Sequence, residues 1–162
     1  MNFFETTYQS PVGKLQISCS HEALCAITFL NENEPETVTP PNNLIEKTCN
    51  QLDEYFAGTR KLFQIPMLQS GTPFQNKIWN LLQAIPYGKT VSYMDLSKMY
   101  GDVKAIRAVA AANGRNNLAI IIPCHRVIGT NRTLTGYAGG LWRKQWLLAH
   151  EAKFHSGVQQ LF

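Results

Sequence analysis

Ten residues, IIIPCHRVIG from Ile120 to Gly129, constrain this chain more than any other stretch. Ala119 and the three isoleucines ahead of Pro123 make an apolar run suited to a strand buried on both faces. Pro123 has no backbone N–H, so the strand should end or leave its ladder there. A thiol, an imidazole and a guanidinium follow at once in Cys124, His125 and Arg126. Cys124 therefore has two readings. Free cysteine is among the most buried residue types, which makes an inert core thiol the plainer one. A neighbouring imidazole and guanidinium, however, depress a thiol's pKa from about 8.5 and raise its thiolate fraction. On an extended chain Cys124 and His125 point to opposite faces, so a bridging water or a sharp turn after Pro123 must connect them.

The 162 residues suffice for one medium domain or two small ones, and 44% apolar with 16% charged content excludes a disordered chain. No apolar stretch reaches the length of a membrane span, and the opening MNFFETTYQS lacks a basic flank followed by an apolar core. A soluble, cytoplasmic protein with no membrane association is expected. Cys19, Cys25, Cys49 and Cys124 form no dense framework, so reduced thiols are expected, and the spacing of Cys19, His21, Cys25 and Cys49 matches no tight zinc signature. Charge is divided unevenly. Residues 1–86 carry five Lys/Arg against eight Asp/Glu, whereas residues 87–144 carry nine against two. The half that holds Cys124 thus has the cationic footprint of a nucleic-acid binder, or simply a solvated basic surface.

Leu15, Ile17 and Cys19, then Cys25, Ile27 and Phe29, alternate with polar neighbours around Ser20–Glu22, the pattern of a hairpin to which Phe3, Phe4 and Tyr8 add a strand. A Pro/Asn-rich acidic loop spans 31–43. A helix follows with Ile45, Cys49, Leu52 and Phe56 on one stripe and Gly58 as its stop. Phe63 to Met67 reads as a short strand and Leu68–Gly71 as a linker. Thr72, Pro73 and Gln75 open a second helix with a capping box, continued by Phe74, Ile78, Leu81, Leu82 and Ile85 up to Pro86. Ser92, boxed with Asp95, starts another helix that stops at Gly101, and a further one runs from about Asp102 to Asn113. These two make a helix-turn-helix candidate over about 92–114. In its second helix Val103, Ile106, Val109 and Ala110 form the expected buried stripe, while Ala108, Ala111 and Ala112 keep the rest slim and Arg107 projects. That slimness suits close approach to a duplex, or ordinary helix packing. A glycine-rich loop precedes the last helix, roughly Leu141 to Glu151, in which Trp142, Trp146, Leu147 and Leu148 are expected to face inward. Glu151, near that helix's end, lies where the dipole disfavours a carboxylate and asks for a partner such as His125.

Four stretches together, IPYGKTVSY (85–93), RAVAAANGRNN (107–117), IIIPCHRVIG (120–129) and GYAGGLWRKQWLLAHE (136–151), resemble the O6-alkylguanine-DNA alkyltransferases. The likeness is dense over 72–151 and looser over 1–67. It implies a two-part α/β chain. A small N-terminal α/β domain with a short antiparallel sheet would span 1–67. A mainly helical DNA-binding and alkyl-transfer domain with a helix-turn-helix would span 72–162. The resemblance further implies repair by direct reversal. A guanine alkylated at O6 (O4-alkylated thymine being a second substrate) is flipped out of double-stranded DNA, because its target atom is out of reach within the stack. Its alkyl group then passes irreversibly to Cys124, once per molecule.

By the same resemblance His125 and Glu151 form a relay reaching the sulfur through a water, Asn116 braces the site, and Tyr93 rotates the nucleotide and then bonds the guanine O6. Arg107 fills the gap the base leaves. Backbone groups of Cys124 and Val127 read the exocyclic amine, the Ala138 amide faces O6, and Tyr137 lines the base pocket. Lys104, Arg107, Ala108, Ala111 and Arg115 would face DNA. The family pattern implies a monomer with no cofactor and no metal. Asn117 stands where proline is common in the family and Arg132 where glycine is common. The tail from Gln159 to Phe162 is a candidate protein-binding peptide. Two other functions share these features: a lesion sensor that binds without transfer, though such relatives lack the cysteine, and a turning-over cysteine hydrolase or thiol peroxidase.

Overall fold

Three antiparallel strands, Phe4–Ser10 (β1), Gly13–Cys19 (β2) and Leu24–Phe29 (β3), form a sheet in the order β1-β2-β3. They belong to a computed structural model that describes residues 3–38, 40 and 42–156; the tail peptide from Gln159 lies outside the described residues. The chain divides into two compact units, Met1–Ser70 and Gly71–Phe162. In the first, β1 pairs with β2 from Phe4↔Cys19 to Ser10↔Gly13, and a bulge at Ser18/Cys19 shifts the β2–β3 register. The alternation in β2 holds: Leu15, Ile17 and Cys19 are fully buried. Helix α1 (Asn43–Ala57) lies against β1 and β2, capped by the Asn42 side chain and ended by Gly58 at φ 83°, where a Cβ is disfavoured. Leu52 and Tyr55 of α1 are buried with the sheet residues. The strand expected over Phe63–Met67 reduces to one parallel bridge, Leu24↔Met67.

In the second unit α2 (Pro73–Leu82) starts at the Thr72–Gln75 capping box and ends earlier than the expected Pro86. Ile85 is buried in the turn that follows, not on the helix. Ser92 and Asp95 box the start of α3 (Tyr93–Tyr100), and Gly101 at φ 102° ends it. A 3₁₀ turn, Val103–Ala105, then leads into α4 (Ile106–Gly114), so the helix starts later than its sequence pattern suggests. Val103 is consequently exposed, while Ala112 belongs to the buried face with Val109 and Asn113. Two short parallel strands, β4 (Val91–Ser92) and β5 (Val127–Ile128), join the start of α3 to the segment after Cys124. The last helix, α5 (Leu141–Ser156), runs past Glu151, so Glu151 sits inside it rather than at its end. Leu147 and Leu148 are buried, but Trp142 is exposed and stacks under the Arg143 guanidinium. Among the described residues no helix is long and apolar enough to cross a membrane.

The buried strand expected over Ala119–Ile122 is absent. These residues form a sequence of tight turns, with Ile120 in the left-handed region at φ 72°. Burial is retained because local bonds satisfy the backbone: Ile121 N–H donates to Ala119 O at 2.8 Å and Ile122 N–H to Leu118 O at 2.9 Å. An apolar run records burial, and here burial is achieved without a ladder.

Candidate active site

Cys124, His125 and Arg126 form one 3₁₀ turn entered from Pro123, and all three are buried. Asn116 fixes the thiol's surroundings. Its Oδ1 accepts the Leu118 N–H at 3.1 Å, which leaves Nδ2 to donate to Ile122 O at 2.8 Å and to Cys124 Sγ at 3.1 Å. A donor aimed at sulfur favours the thiolate. The His125 ring makes no hydrogen bond to that sulfur; its Nε2 lies 2.7 Å from Glu151 Oε2. Arg126 grips the same carboxylate with two bonds, Nε to Oε1 at 2.8 Å and Nη2 to Oε2 at 3.1 Å, and donates from Nη1 to Ile85 O at 2.7 Å. One guanidinium thus ties α5 to the Cys124 turn and to the turn after α2.

The charges follow from these partners. Burial alone would raise Glu151, yet His125 and Arg126 outweigh it and hold the carboxyl below its ordinary 4.5. Burial lowers His125 below 6.5 against the pull of Glu151, so Arg126 balances the carboxylate and the imidazole is neutral. A carboxylate only accepts, so His125 carries its proton on Nε2. Nδ1, buried and without a hydrogen-bond partner, is then a bare lone pair. Burial pushes the Cys124 thiol above its ordinary 9.0 against the opposing pull of Asn116, Lys144 and the main-chain N–H groups of Cys124 and His125. This corrects the expectation that two cationic neighbours depress it. Arg126 spends its charge on Glu151 and His125 carries none, so Cys124 rests as a thiol with a base nearby.

A buried thiol with a donor on sulfur and a carboxylate-held imidazole beside it can act as a nucleophile with a proton acceptor, and the chain that carries this arrangement is similar to known proteins. The family description "6-O-methylguanine DNA methyltransferase, DNA binding domain" matches residues 73–153, and "6-O-methylguanine DNA methyltransferase, ribonuclease-like domain" matches 3–69. The constitutive methylated-DNA–protein-cysteine methyltransferase of Bacillus subtilis is 47% identical over 150 residues, covering 86% of this chain and 88% of that protein. The Shigella flexneri enzyme of the same name is 48% identical over 169 residues, covering 93% and 96%. The crystal structure of the Mycobacterium tuberculosis O6-methylguanine methyltransferase superposes with a TM-score of 0.84 at 39% identity, covering 94% of each chain. A structure of Mycobacterium tuberculosis OGT in complex with DNA does so with the same TM-score and identity over 93% of each.

The chain belongs to the methylated-DNA–protein-cysteine methyltransferase family.

The remaining candidates lie around Cys124 and on α4. Tyr93, the first residue of α3, has its hydroxyl 3.5 Å from Thr135 O in the loop before α5. Lys144, fully buried, donates from Nζ to Thr135 O at 2.8 Å and Gly136 O at 3.3 Å and lies 5.8 Å from the Tyr93 ring. Burial brings its pKa down to about 8, opposed by Cys124 in its ionised form. The Tyr137 hydroxyl is buried and held well above 10.0, first by burial and then by Cys124 in its ionised form and by Glu151. Ala138 is exposed beside it, and Val127 is buried in β5 with its N–H on Cys124 O. Arg107, Ala108 and Ala111 lie on the exposed face of α4, Arg115 is exposed just after its end, and Lys104 is exposed in the 3₁₀ turn before it. Sequence reasoning alone misses Lys144 and the ion pair of Arg126. Lys144 left one signal, a lysine on the helical face of Leu141, Leu147 and Leu148; the partner of Arg126 left none.

Proposed function

We propose that this chain repairs duplex DNA by moving the alkyl group of O6-alkylguanine onto Sγ of its own Cys124, one group per molecule. The His125 ring held by Glu151 at 2.7 Å, next to a thiol that accepts from Asn116 Nδ2 at 3.1 Å, is the observation that carries the reading. The Cys124 proton passes to Nδ1 through one intervening water, the carboxylate steadies the resulting imidazolium, and Asn116 Nδ2 steadies the thiolate. Sulfur then displaces the alkyl carbon from O6: the S–C bond forms, the C–O6 bond breaks, and guanine takes the electron pair. The proton held on His125 returns to the leaving base, so the protein ends as a neutral thioether. Sulfur bound to an alkyl carbon is a poor leaving group, so the thioether persists and the step is irreversible.

The exposed alanines of α4 let that helix sit deep against a duplex, with Arg107 reaching into the stack where the base has left. Tyr93, Tyr137 and the Ala138 main chain line the pocket for the extruded base, and the protein acts as a monomer. Incubation with duplex DNA carrying labelled O6-methylguanine should place label on the protein, saturating at one equivalent and absent in Cys124→Ala. Continued release of free alkyl product would favour a hydrolase, and tight binding without label a sensor. Arg107→Ala should slow repair of the duplex about tenfold or more while leaving reaction with free O6-benzylguanine unchanged, since only the duplex must be held open. Equal losses on both substrates would remove Arg107 from that role.

A further inference from the structure

A cavity of about 480 Å³ lies on the second unit away from the thiol, and its lining does not include Cys124. One wall is α3, through Ser92, Met94, Asp95 and Lys98; the others are the Gly88–Val91 turn and the Ile128–Arg132 segment after the active-site turn. Lys89, Lys98 and Arg132 bring three cations to it, against the single carboxylate of Asp95. That carboxylate is already engaged, accepting the Ser92 N–H at 3.0 Å in the capping box. Among the described residues none of the three cations makes an ion pair. The hydroxyls of Thr90, Ser92 and Thr130 complete a lining that is polar rather than apolar. An uncharged aromatic ligand has little to hold it here; an anion with several acceptor oxygens does.

Position selects the anion. In a helix-turn-helix arrangement the second helix lies in a groove while the first crosses the nucleic-acid backbone. Helix α3 is that first helix, and the cavity opens on its exposed side at Asp95 and Lys98. Arg132 adds a second sign. It holds its backbone at φ 65°, a conformation glycine adopts freely and arginine does not, yet the side chain present is a guanidinium lining the cavity. We propose that this cavity seats a backbone phosphate of the bound DNA, gripped by Lys89, Lys98 and Arg132, as an anchor separate from the α4 face and from the base pocket. The inference rests on the duplex-DNA reading given above.

The test is the salt dependence of binding to a short undamaged duplex, followed by fluorescence anisotropy between about 50 and 200 mM NaCl. Losing one neutralised phosphate flattens the log–log slope by about 0.9, so Lys89→Gln/Lys98→Gln should be shallower than wild type by about 0.9 and Arg132→Gly by a part of that. The melting temperature and the reaction with free O6-benzylguanine should stay at wild-type values in the double variant, and Arg132→Gly relieves its backbone, so folding does not confuse the outcome. Unchanged slopes in both variants overturn the proposal. Calorimetric titration with inorganic phosphate separates the two sources of the same chemistry. Sub-millimolar phosphate binding that the double variant loses, with the DNA slope intact, would assign the cavity to a free anion instead. A wild-type chain that neither binds duplex nor takes up label strikes the repair reading itself. One that does both, while the variants keep its slope, strikes only the cavity.

Discussion

Each unit of the molecule buries a free cysteine beside an asparagine, and the two pairs are wired in opposite senses. In the first unit Asn42 Oδ1 already accepts the Leu44 and Ile45 N–H groups at the start of α1, so toward Cys19 it can only accept, and the thiol donates to it at 3.5 Å. In the second unit Asn116 Oδ1 is occupied by the Leu118 N–H, so Nδ2 is turned on Cys124 Sγ at 3.1 Å. An acceptor stabilises the protonated sulfur and a donor the ionised one. Both thiols sit above 9.0 because both are buried. What separates them is the direction of one amide and the presence of a base, not burial.

The largest expected break in this comparison is chemical. Cys124→Ala should abolish label transfer, whereas Cys19→Ala should leave the single equivalent intact; labelling at Cys19 would show that the wiring does not decide reactivity. Next comes the buried charge cluster. Glu151→Gln leaves the Arg126 guanidinium without its carboxylate, and urea denaturation should show a loss of about 3–5 kcal/mol, with a slower, pH-shifted reaction of free O6-benzylguanine. Glu54→Gln removes the partner of Arg60 from a half-exposed ion pair in the first unit and should cost less than about 1 kcal/mol. Asn116→Ala should then slow transfer by about 10- to 100-fold, the loss of one bond to a charged group, while Asn42→Ala should cost about 1 kcal/mol of stability as a lost cap and leave transfer unchanged.

The smallest effect is the response to acid. Glu151 and His125 are both held below their ordinary values of 4.5 and 6.5. The unfolded chain therefore binds protons that the native cluster refuses. Stability is complete above about 6.5, falls as pH drops through that value, and falls again below 4.5. Melting temperatures across that range should decline in wild type and decline less in the double variant His125→Phe/Glu151→Gln. Equal slopes would locate the acid sensitivity elsewhere.

Much of the fold is legible in the sequence because its signals are local. The capping boxes at Thr72–Gln75 and Ser92–Asp95 and the glycine stops at Gly58 and Gly101 act within one helical turn, and each stands where the residues alone put it. Other readings fail where two structures bury the same composition. The isoleucines of 120–122 fill the interior as turns as well as a strand would, and α2 stops short because Ile85 is needed in the turn that receives Arg126. Helical spacing points Trp142 inward, yet the ring is exposed and its outward face is covered by Arg143.

By itself, then, the chain determined where most helices begin and stop and which half is cationic, since both depend on neighbours within a few positions. Tertiary structure alone decided the charge state of the site. Whether Arg126 activates Cys124 or is consumed by Glu151, which imidazole nitrogen is bare, and which way the Asn116 amide faces depend on groups 8 to 26 positions apart in sequence that meet only in the folded interior. There low dielectric strengthens each pairing, so the charge left beside Cys124 depends on which groups the fold brings together.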